Sequence, residues 1–436
     1  MTLGHHRTNR RCGHGQILVI LAAIVPVLLL FAGLGIDFGF IYVKQAALSR
    51  ALDAAALAGM RNLNQGNTTA QSIAQAEFNL NYNSVLGTDP VPPVFNFVVT
   101  TDANNNRVVN VNATATVQTF FLRILPGHST IQVSSSAQTT RSRLVMALVL
   151  DVSYSMTRNG GSGALAPAVT SFVNNFDPNN SDMTDVASMV TFGTSSVVNV
   201  AMTQPFQTAI DNAVGNINWG VINYTNSNAG LTAGQAQING VVIPAGQNVT
   251  KVAIFFTDGW PNVIQDTLQC GASKTATNLL YCGCDTGDIS LGLCRANSLT
   301  FFTPSTCSAT NDNCSTTNCN PEYSGGVQNT YPSQQTGKNL ELTDVTSCSA
   351  DGMYRAIQTA KSMQAQNIYV YSIGLGTAIT NQPVAEDFLR QVANDPASST
   401  FNPNAPIGAA VFAPDSTTLT DVFQTIASMI LLRITQ

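Results

Sequence analysis

Residues Ile17 to Ile36, ILVILAAIVPVLLLFAGLGI, run for twenty positions without a charge. As a helix this run rises about 30 Å, the thickness of a bilayer's hydrocarbon core, so one membrane span at 16–36 is expected. Only a helix lets a lone segment in lipid satisfy its own backbone. Arg7, Arg10 and Arg11 precede the run, and the positive-inside bias places the tail 1–15 in the cytoplasm and everything after Asp37 outside. A cleaved secretion signal is the competing reading, but the run exceeds the usual core of about 7 to 15 residues and no small-x-small site follows closely. Pro26 lies inside the span, where a kink is tolerated.

The chain then continues as KQAALSRALDAAALAGMRNL, rich in the best helix formers. Leu48, Leu52, Ala55, Gly59 and Leu63 recur every three or four residues and form one stripe of apolar and small residues. That stripe can pack on the domain that follows, or on a partner helix, since Ala and Gly allow close approach. The basic tail, Gly15-Gln16, Pro26, the GxxxDFGxxY pattern from Gly33 to Tyr42 and the LDAAALA segment from Leu52 to Ala58 together resemble TadE/TadG-like proteins of the Tad (Flp) pilus-assembly system. The resemblance covers about the first sixty residues and implies a single-pass protein of the bacterial inner membrane that meets other Tad pilus components. Pseudopilins of that system carry a Glu shortly after their cleavage point; here Ile, Leu and Val follow Gln16, which favours a retained anchor.

Beyond the long helix a second one fits Thr68 to Leu80, after which the texture changes to β-branched alternation. FNFVVTT, then RVVNVNATATVQTF after the turn at Asp102, and finally TIQVSSSAQTT read as strands, the first two as a hairpin. Residues 37–143 thus form an expected helical and α+β stalk. His128 beside Gly127 reads as a turn residue.

Composition narrows the chemistry. The chain has 19 Lys+Arg and 24 Asp+Glu in 436 residues, 10% charged against about 25% in ordinary soluble domains. A net charge of −5 offers no basic excess for phosphates, which argues against nucleic acid as a partner. Of four histidines, His5, His6 and His14 sit at the N-terminus, so neither a His-based zinc site nor a Ser-His-Asp nucleophile is expected in the main body. Cys12 stands alone, whereas Cys270, Cys282, Cys284, Cys294, Cys307, Cys314, Cys319 and Cys348 cluster in a Ser/Thr/Asn/Gly-rich stretch. An even eight reads as a disulfide framework in an oxidising compartment; a zinc site would call for CxxC pairs, and only Cys282-Gly-Cys284 is present.

At Leu144 the chain enters LVMALVLDVSYSM, a run suited to a strand buried on both faces and ending in Asp151, Ser153 and Ser155. One carboxylate and two hydroxyls at a strand's carboxyl end are hard donors for Mg²⁺, Mn²⁺ or Ca²⁺; a polar turn capping the next helix is the plainer alternative. Further strands fit Asp185–Gly193, Val197–Met202, Lys251–Gly259 and Ile368–Gly376, and helices fit Gln207–Ile217, Ala350–Ala365, Val384–Asn394 and Thr418–Leu432. This alternation predicts an α/β, doubly wound, mostly parallel sheet over 144–436.

These segments resemble the von Willebrand factor type A (vWA) fold. DVSYSM corresponds to its DxSxS motif, TDGWPN to its second Asp motif, and Thr225-Asn226 with Gly230-Leu231 to the loop that opens the next helix. The resemblance implies a metal ion adhesion site (MIDAS) made of Asp151, Ser153, Ser155, Thr225 and Asp258. It would hold a divalent cation, Mg²⁺ ahead of Mn²⁺ or Ca²⁺, with one open position for an acidic group of a protein or surface ligand. Tyr154 and Trp260 flank these motifs and are the ligand-contact candidates. No catalytic residue is indicated, and an enzyme is not expected. The cysteine segment, about 265–351, replaces a connection that ordinarily takes a few residues. It either shapes ligand access or is a stapled decoration. The expected function is membrane-anchored, extracytoplasmic adhesion or pilus-associated binding through the metal. The alternative is a scaffold or anchor of pilus assembly in which the metal is only structural.

Overall fold

The computed structural model describes residues 14–86, 91–176, 184–219, 224–270, 274–281, 300–302 and 345–435. It divides into two compact units: Met1–Leu63, Asn67–Thr100 and Arg107–Thr140 form the first, while Asn64–Gly66, Thr101–Asn106 and Arg141–Gln436 form the second.

The first unit is built on one helix, α1 (His14–Arg61), of 48 residues with Pro26 inside it. It is long and apolar enough to cross a membrane, and the large apolar side chains from Ile20 to Phe31 are exposed along it. Its C-terminal half behaves differently. Leu48, Leu52, Ala55 and Leu63 are fully buried together with Ala70, Ala74 and Phe78 of α2 (Asn67–Leu86) and Val109, Val111, Ala113 and Ala115 of β2 (Arg107–Gln118). The stripe read from the sequence is therefore covered by the protein's own chain and is not left for a foreign helix. With β1 (Val94–Thr101) and β3 (Thr130–Arg141), β2 completes a three-stranded sheet in the order β1-β2-β3. The alternating burial of β2, with Val109, Val111, Ala113, Ala115 and Val117 inside, is the period-2 pattern of a one-sided sheet.

The second unit holds a six-stranded sheet ordered β12-β11-β7-β4-β5-β6. Its strands are β4 (Arg143–Asp151), β5 (Val186–Phe192), β6 (Ser196–Thr203), β7 (Val249–Thr257), β11 (Ile368–Leu375) and β12 (Ala409–Ala413). All neighbours run parallel except β6, which lies antiparallel on β5 with register shifts, so the sheet is mixed. Strand β4 shows why its run is apolar at every position. Leu144, Met146, Leu148 and Leu150 face one core with α4 (Gly161–Val173), α5 (Gln207–Gly215) and α10 (Leu419–Ile434). Val145, Ala147 and Val149 face the other core with α6 (Ser227–Asn239), α7 (Val345–Ala365) and α9 (Pro383–Ala393). Helices on both faces are what right-handed crossovers between parallel strands produce.

Two elements of this unit have little local signal. Helix α4 opens on Gly-Ser-Gly and carries Pro167 inside it, and is held by burial of Leu165, Val169 and Phe172 against the core. Strand β12 is only five residues long and registers Tyr371 to Leu375 of β11 against Ala409 to Ala413. Single-turn helices α3 (Ser155–Arg158) and α8 (Thr377–Thr380) follow β4 and β11. Within the inserted stretch, β8 (Val263–Cys270) pairs antiparallel with β9 (Lys274–Tyr281), and β10 (Thr300–Phe302) pairs with β9. The eight-cysteine disulfide framework rests on side chains outside the described residues.

Candidate metal centre

Strands β4 and β7 are neighbours at the middle of the sheet, with Leu150 opposite Phe256. The chain leaves β4 toward β5 on one side and leaves β7 toward β11 on the other. Such a reversal opens a crevice at the carboxyl ends of the strands, where ligands collect in α/β sheets. Asp151 ends β4 and Asp258 follows the last residue of β7, so both carboxylates arrive there by strand register alone.

Each carboxylate is fully buried. Asp151 accepts from the Ser153 backbone N–H at 2.7 Å and from the Thr257 hydroxyl at 2.5 Å. Asp258 accepts from the Ser155 hydroxyl at 2.7 Å and from the Asn159 side-chain amide at 2.8 Å. The Ser153 and Ser155 hydroxyl oxygens are 3.0 Å apart. Burial, and then the charge of Asp258, push the Asp151 carboxyl up to about 7, against the hydrogen bonds from Ser153 and Thr257. Burial likewise pushes Asp258 up to about 6, against its bonds from Ser155 and Asn159. Two acids this deep beside one another require a shared proton or a cation.

Among the described residues no Lys or Arg ion pair involves either carboxylate. Nor do the described residues contain a group of three or more His, Cys, Asp or Glu side chains able to hold a metal. The donor set is instead two carboxylates with serine hydroxyls, all hard oxygen, which fits Mg²⁺, Mn²⁺ or Ca²⁺ and not a thiophilic metal.

Thr225 is held on the loop beside this crevice. Its N–H donates to the Asn262 side-chain carbonyl at 2.7 Å, and its own carbonyl accepts from the Asn262 and Val263 N–H groups at 2.9 and 3.2 Å. Asn226 caps α6, accepting from the Ala229 N–H at 3.2 Å, while its backbone N–H reaches the Gly193 carbonyl at 2.8 Å. The loops after β5 and β7 and the start of α6 are thereby tied together. Tyr154 is half-buried, with the Arg158 guanidinium 5.2 Å from its ring centre. Trp260 is also half-buried: its indole packs on the α6/α7/α9 core and its N–H donates to the Ala378 carbonyl at 3.4 Å.

Sequence reasoning did not single out Thr257, Asn159 or Asn262. Thr257 was visible as the first residue of the Thr-Asp-Gly triplet. Asn159 and Asn262 carry no local signal, because their partners lie 99 and 37 residues away in the chain.

Residues 146–284 match the family model of the von Willebrand factor type A domain. Residues 15–62 match the model described as putative Flp pilus-assembly TadE/G-like. The chain thus carries two separate matches, one to TadE/G-like proteins near its N-terminus and one to the vWA domain further on. No curated protein sequence matches it.

Among solved structures, proximal thread matrix protein 1 from the mussel byssus, in a form with a zinc-occupied MIDAS motif, is 13% identical, with 67% of this chain and 46% of that one covered and a TM-score of 0.36. The pilus adhesin SpaC of Lactobacillus rhamnosus GG is 13% identical over 80% of this chain and 36% of its own, with a TM-score of 0.41. The vWF domain of the type V pili tip protein Mfa5 of Porphyromonas gingivalis is 14% identical over 68% of this chain and 97% of its own, with a TM-score of 0.42. The chain spans less than half the length of the first two of these.

Proposed function

We propose that this chain is a membrane-anchored envelope protein, associated with a Tad-type pilus, whose vWA domain adheres to a partner through a divalent cation. The observation that carries the reading is the pair of fully buried carboxylates, Asp151 and Asp258, set among serine hydroxyls and, among the described residues, without an ion pair to Lys or Arg. Ser153, Ser155 and Thr225 would contact the ion directly or through water, and Asp151 and Asp258 would supply the charge. A cation with incomplete protein ligation keeps Lewis acidity toward an incoming carboxylate, so the ligand is an acidic group on a protein or surface. Mg²⁺ is the first choice because the cluster is compact and rich in hydroxyls.

In this reading 1–15 is a cytoplasmic tail, 16–36 the span, 37–143 a stalk and 144–436 the vWA domain with its insertion at 265–351. Tyr154 and Trp260 flank the ion, Tyr154 as the more available ligand contact and Trp260 as a brace to the loop after β11. The test is capture of partners from envelope extract by the full chain, with and without chelator, beside Asp151→Ala. Partners lost with chelator and with Asp151→Ala, at a thermal stability that in chelator stays near the wild-type value, are the expected result. Equal loss of stability and binding would instead indicate a scaffold whose metal serves the fold.

A further inference from the structure

The turn after β2 carries the sequence Phe120-Phe121-Leu122-Arg123-Ile124-Leu125, and its large apolar side chains face outward. Phe120 is 57% exposed, Phe121 41%, Ile124 73% and Leu125 50%. Four such side chains on one short turn are an unusual surface for a water-soluble unit.

Their position is set by Asp37, the residue that ends the uncharged run of α1. Although 1% exposed, Asp37 is not ion-paired among the described residues; its carboxylate accepts three backbone N–H bonds, from Phe120 at 2.8 Å, Phe121 at 2.9 Å and Leu122 at 2.6 Å. The Phe120 ring meets Phe40 of α1 edge-on, with centroids 5.7 Å apart. The Phe121 ring lies over Gly33, one helical turn back inside the apolar run, so closely that a Cβ on Gly33 would come within 2.5 Å of it. Only glycine leaves room for that ring. The turn is thus clamped alongside α1 at the end of its uncharged run, where Ile36 and Phe38 are themselves exposed.

We propose that the Phe120–Leu125 turn is a second membrane contact, inserting its apolar side chains into lipid where α1 leaves the hydrocarbon, with Arg123 against anionic headgroup phosphate. The proposal rests on α1 spanning the bilayer. Lipid is the occupant because Phe121 of the turn covers Gly33 inside the apolar run of α1, whose neighbouring side chains Leu30, Phe31 and Ile36 are exposed. Charge agrees: from Thr119 to Val133 the chain carries Arg123 and His128 and no acid. Aromatic and basic side chains at the interfacial level are the usual anchors of a membrane-bound unit. Asp37 acts as a positioning residue, because its three acceptor contacts hold the turn at the depth of the span's end.

The test uses the full chain in phosphatidylethanolamine/phosphatidylglycerol vesicles, with the photoreactive residue benzoylphenylalanine in place of Ile124, of Leu29 within the span, or of Val242, an exposed site in the second unit. Lipid adducts are read by mass spectrometry. The expected result is an Ile124 yield comparable to Leu29 and about tenfold or more above Val242. In Asp37→Ala the Ile124 yield should fall several-fold while that of Leu29 holds; an unchanged Ile124 yield would overturn the positioning role. Lipid adducts at Leu29 with none at Ile124, or protein adducts at Ile124, would overturn the lipid contact and leave the span standing. No lipid adduct at either position would remove the span and the proposal with it.

Discussion

The Ser155 hydroxyl donates to Asp258 Oδ1 at 2.7 Å, joining the start of α3 to the end of β7 across 103 residues of chain. It also lies 3.0 Å from the Ser153 hydroxyl, so one side chain links both halves of the oxygen cluster. Ser155→Ala removes a donor from a buried carboxylate and one oxygen from the proposed ion site. A lost hydrogen bond to a charged group is worth about 1.5 to 3 kcal/mol, so Mg²⁺ affinity should fall about ten- to a hundredfold by calorimetry. An unchanged affinity would place the ion elsewhere.

Asp151→Asn separates charge from shape. The amide fills the same space and relieves the repulsion with Asp258, so in chelator the variant should melt at or above the wild-type temperature. Added Mg²⁺ should raise the wild-type melting temperature and not that of the variant. At a hundredfold excess over Kd, ligand linkage stabilises the native state by about 2.7 kcal/mol. A variant that still responds fully to Mg²⁺ would exclude Asp151 from the site.

The pH dependence follows in sign from the raised carboxyls. Without metal, Asp151 at about 7 and Asp258 at about 6 bind protons in the folded state that the unfolded chain releases near its ordinary value of about 4. That stabilisation is complete below about pH 4 and is lost as pH rises through 6 and 7. Chelator-treated protein should therefore melt lower at pH 8 than at pH 5.5, and Mg²⁺ should close the gap because it replaces the protons. A chelated protein that melts higher at pH 8 would contradict this.

Arg141 and Asp185 form a buried bidentate pair, with Arg141 Nη1 and Nη2 at 2.9 and 2.5 Å from the two carboxylate oxygens; Asp185 also accepts the Leu144 N–H at 2.8 Å. Arg141 lies two residues before β4 and Asp185 one residue before β5. Asp185→Ala would leave a buried guanidinium uncompensated and should destabilise the second unit by about 3 to 5 kcal/mol in denaturant unfolding. A loss below about 1 kcal/mol would mean that the pair is solvated in solution.

Gly234 of α6 sits where a Cβ would come within 2.5 Å of Val149 Cγ2. Helix and strand thus meet backbone to side chain below the end of β4 that carries Asp151. Gly234→Ala should cost about 1 to 3 kcal/mol through overpacking, even though alanine is the better helix former. A stabilised variant would show that α6 can move off the sheet without penalty.

Much of this was legible in the chain. The uncharged run, the Ala/Leu stripe, the apolar strands and the spacing of Asp151, Ser153 and Ser155 are local patterns, and local patterns report periodicity and burial directly. Helix α4 and strand β12 were not legible, because Gly161 to Val173 opens on Gly-Ser-Gly and carries Pro167 in its interior, and Ala409 to Ala413 is too short to alternate. What covers the Ala/Leu stripe was equally undetermined, since α2 and β2 bury it only after the chain has folded back.

The low charge content made Asp151 and Asp258 conspicuous, and by itself the sequence determined that each ends an apolar strand. Only the tertiary structure decided that β4 and β7 are neighbours, that Thr257 and Asn159 donate to the two carboxylates, and that Asp37 holds the Phe120 turn beside the apolar part of α1. Strand order and loop closure depend on which distant surfaces bury one another, and no window of neighbouring residues contains that information.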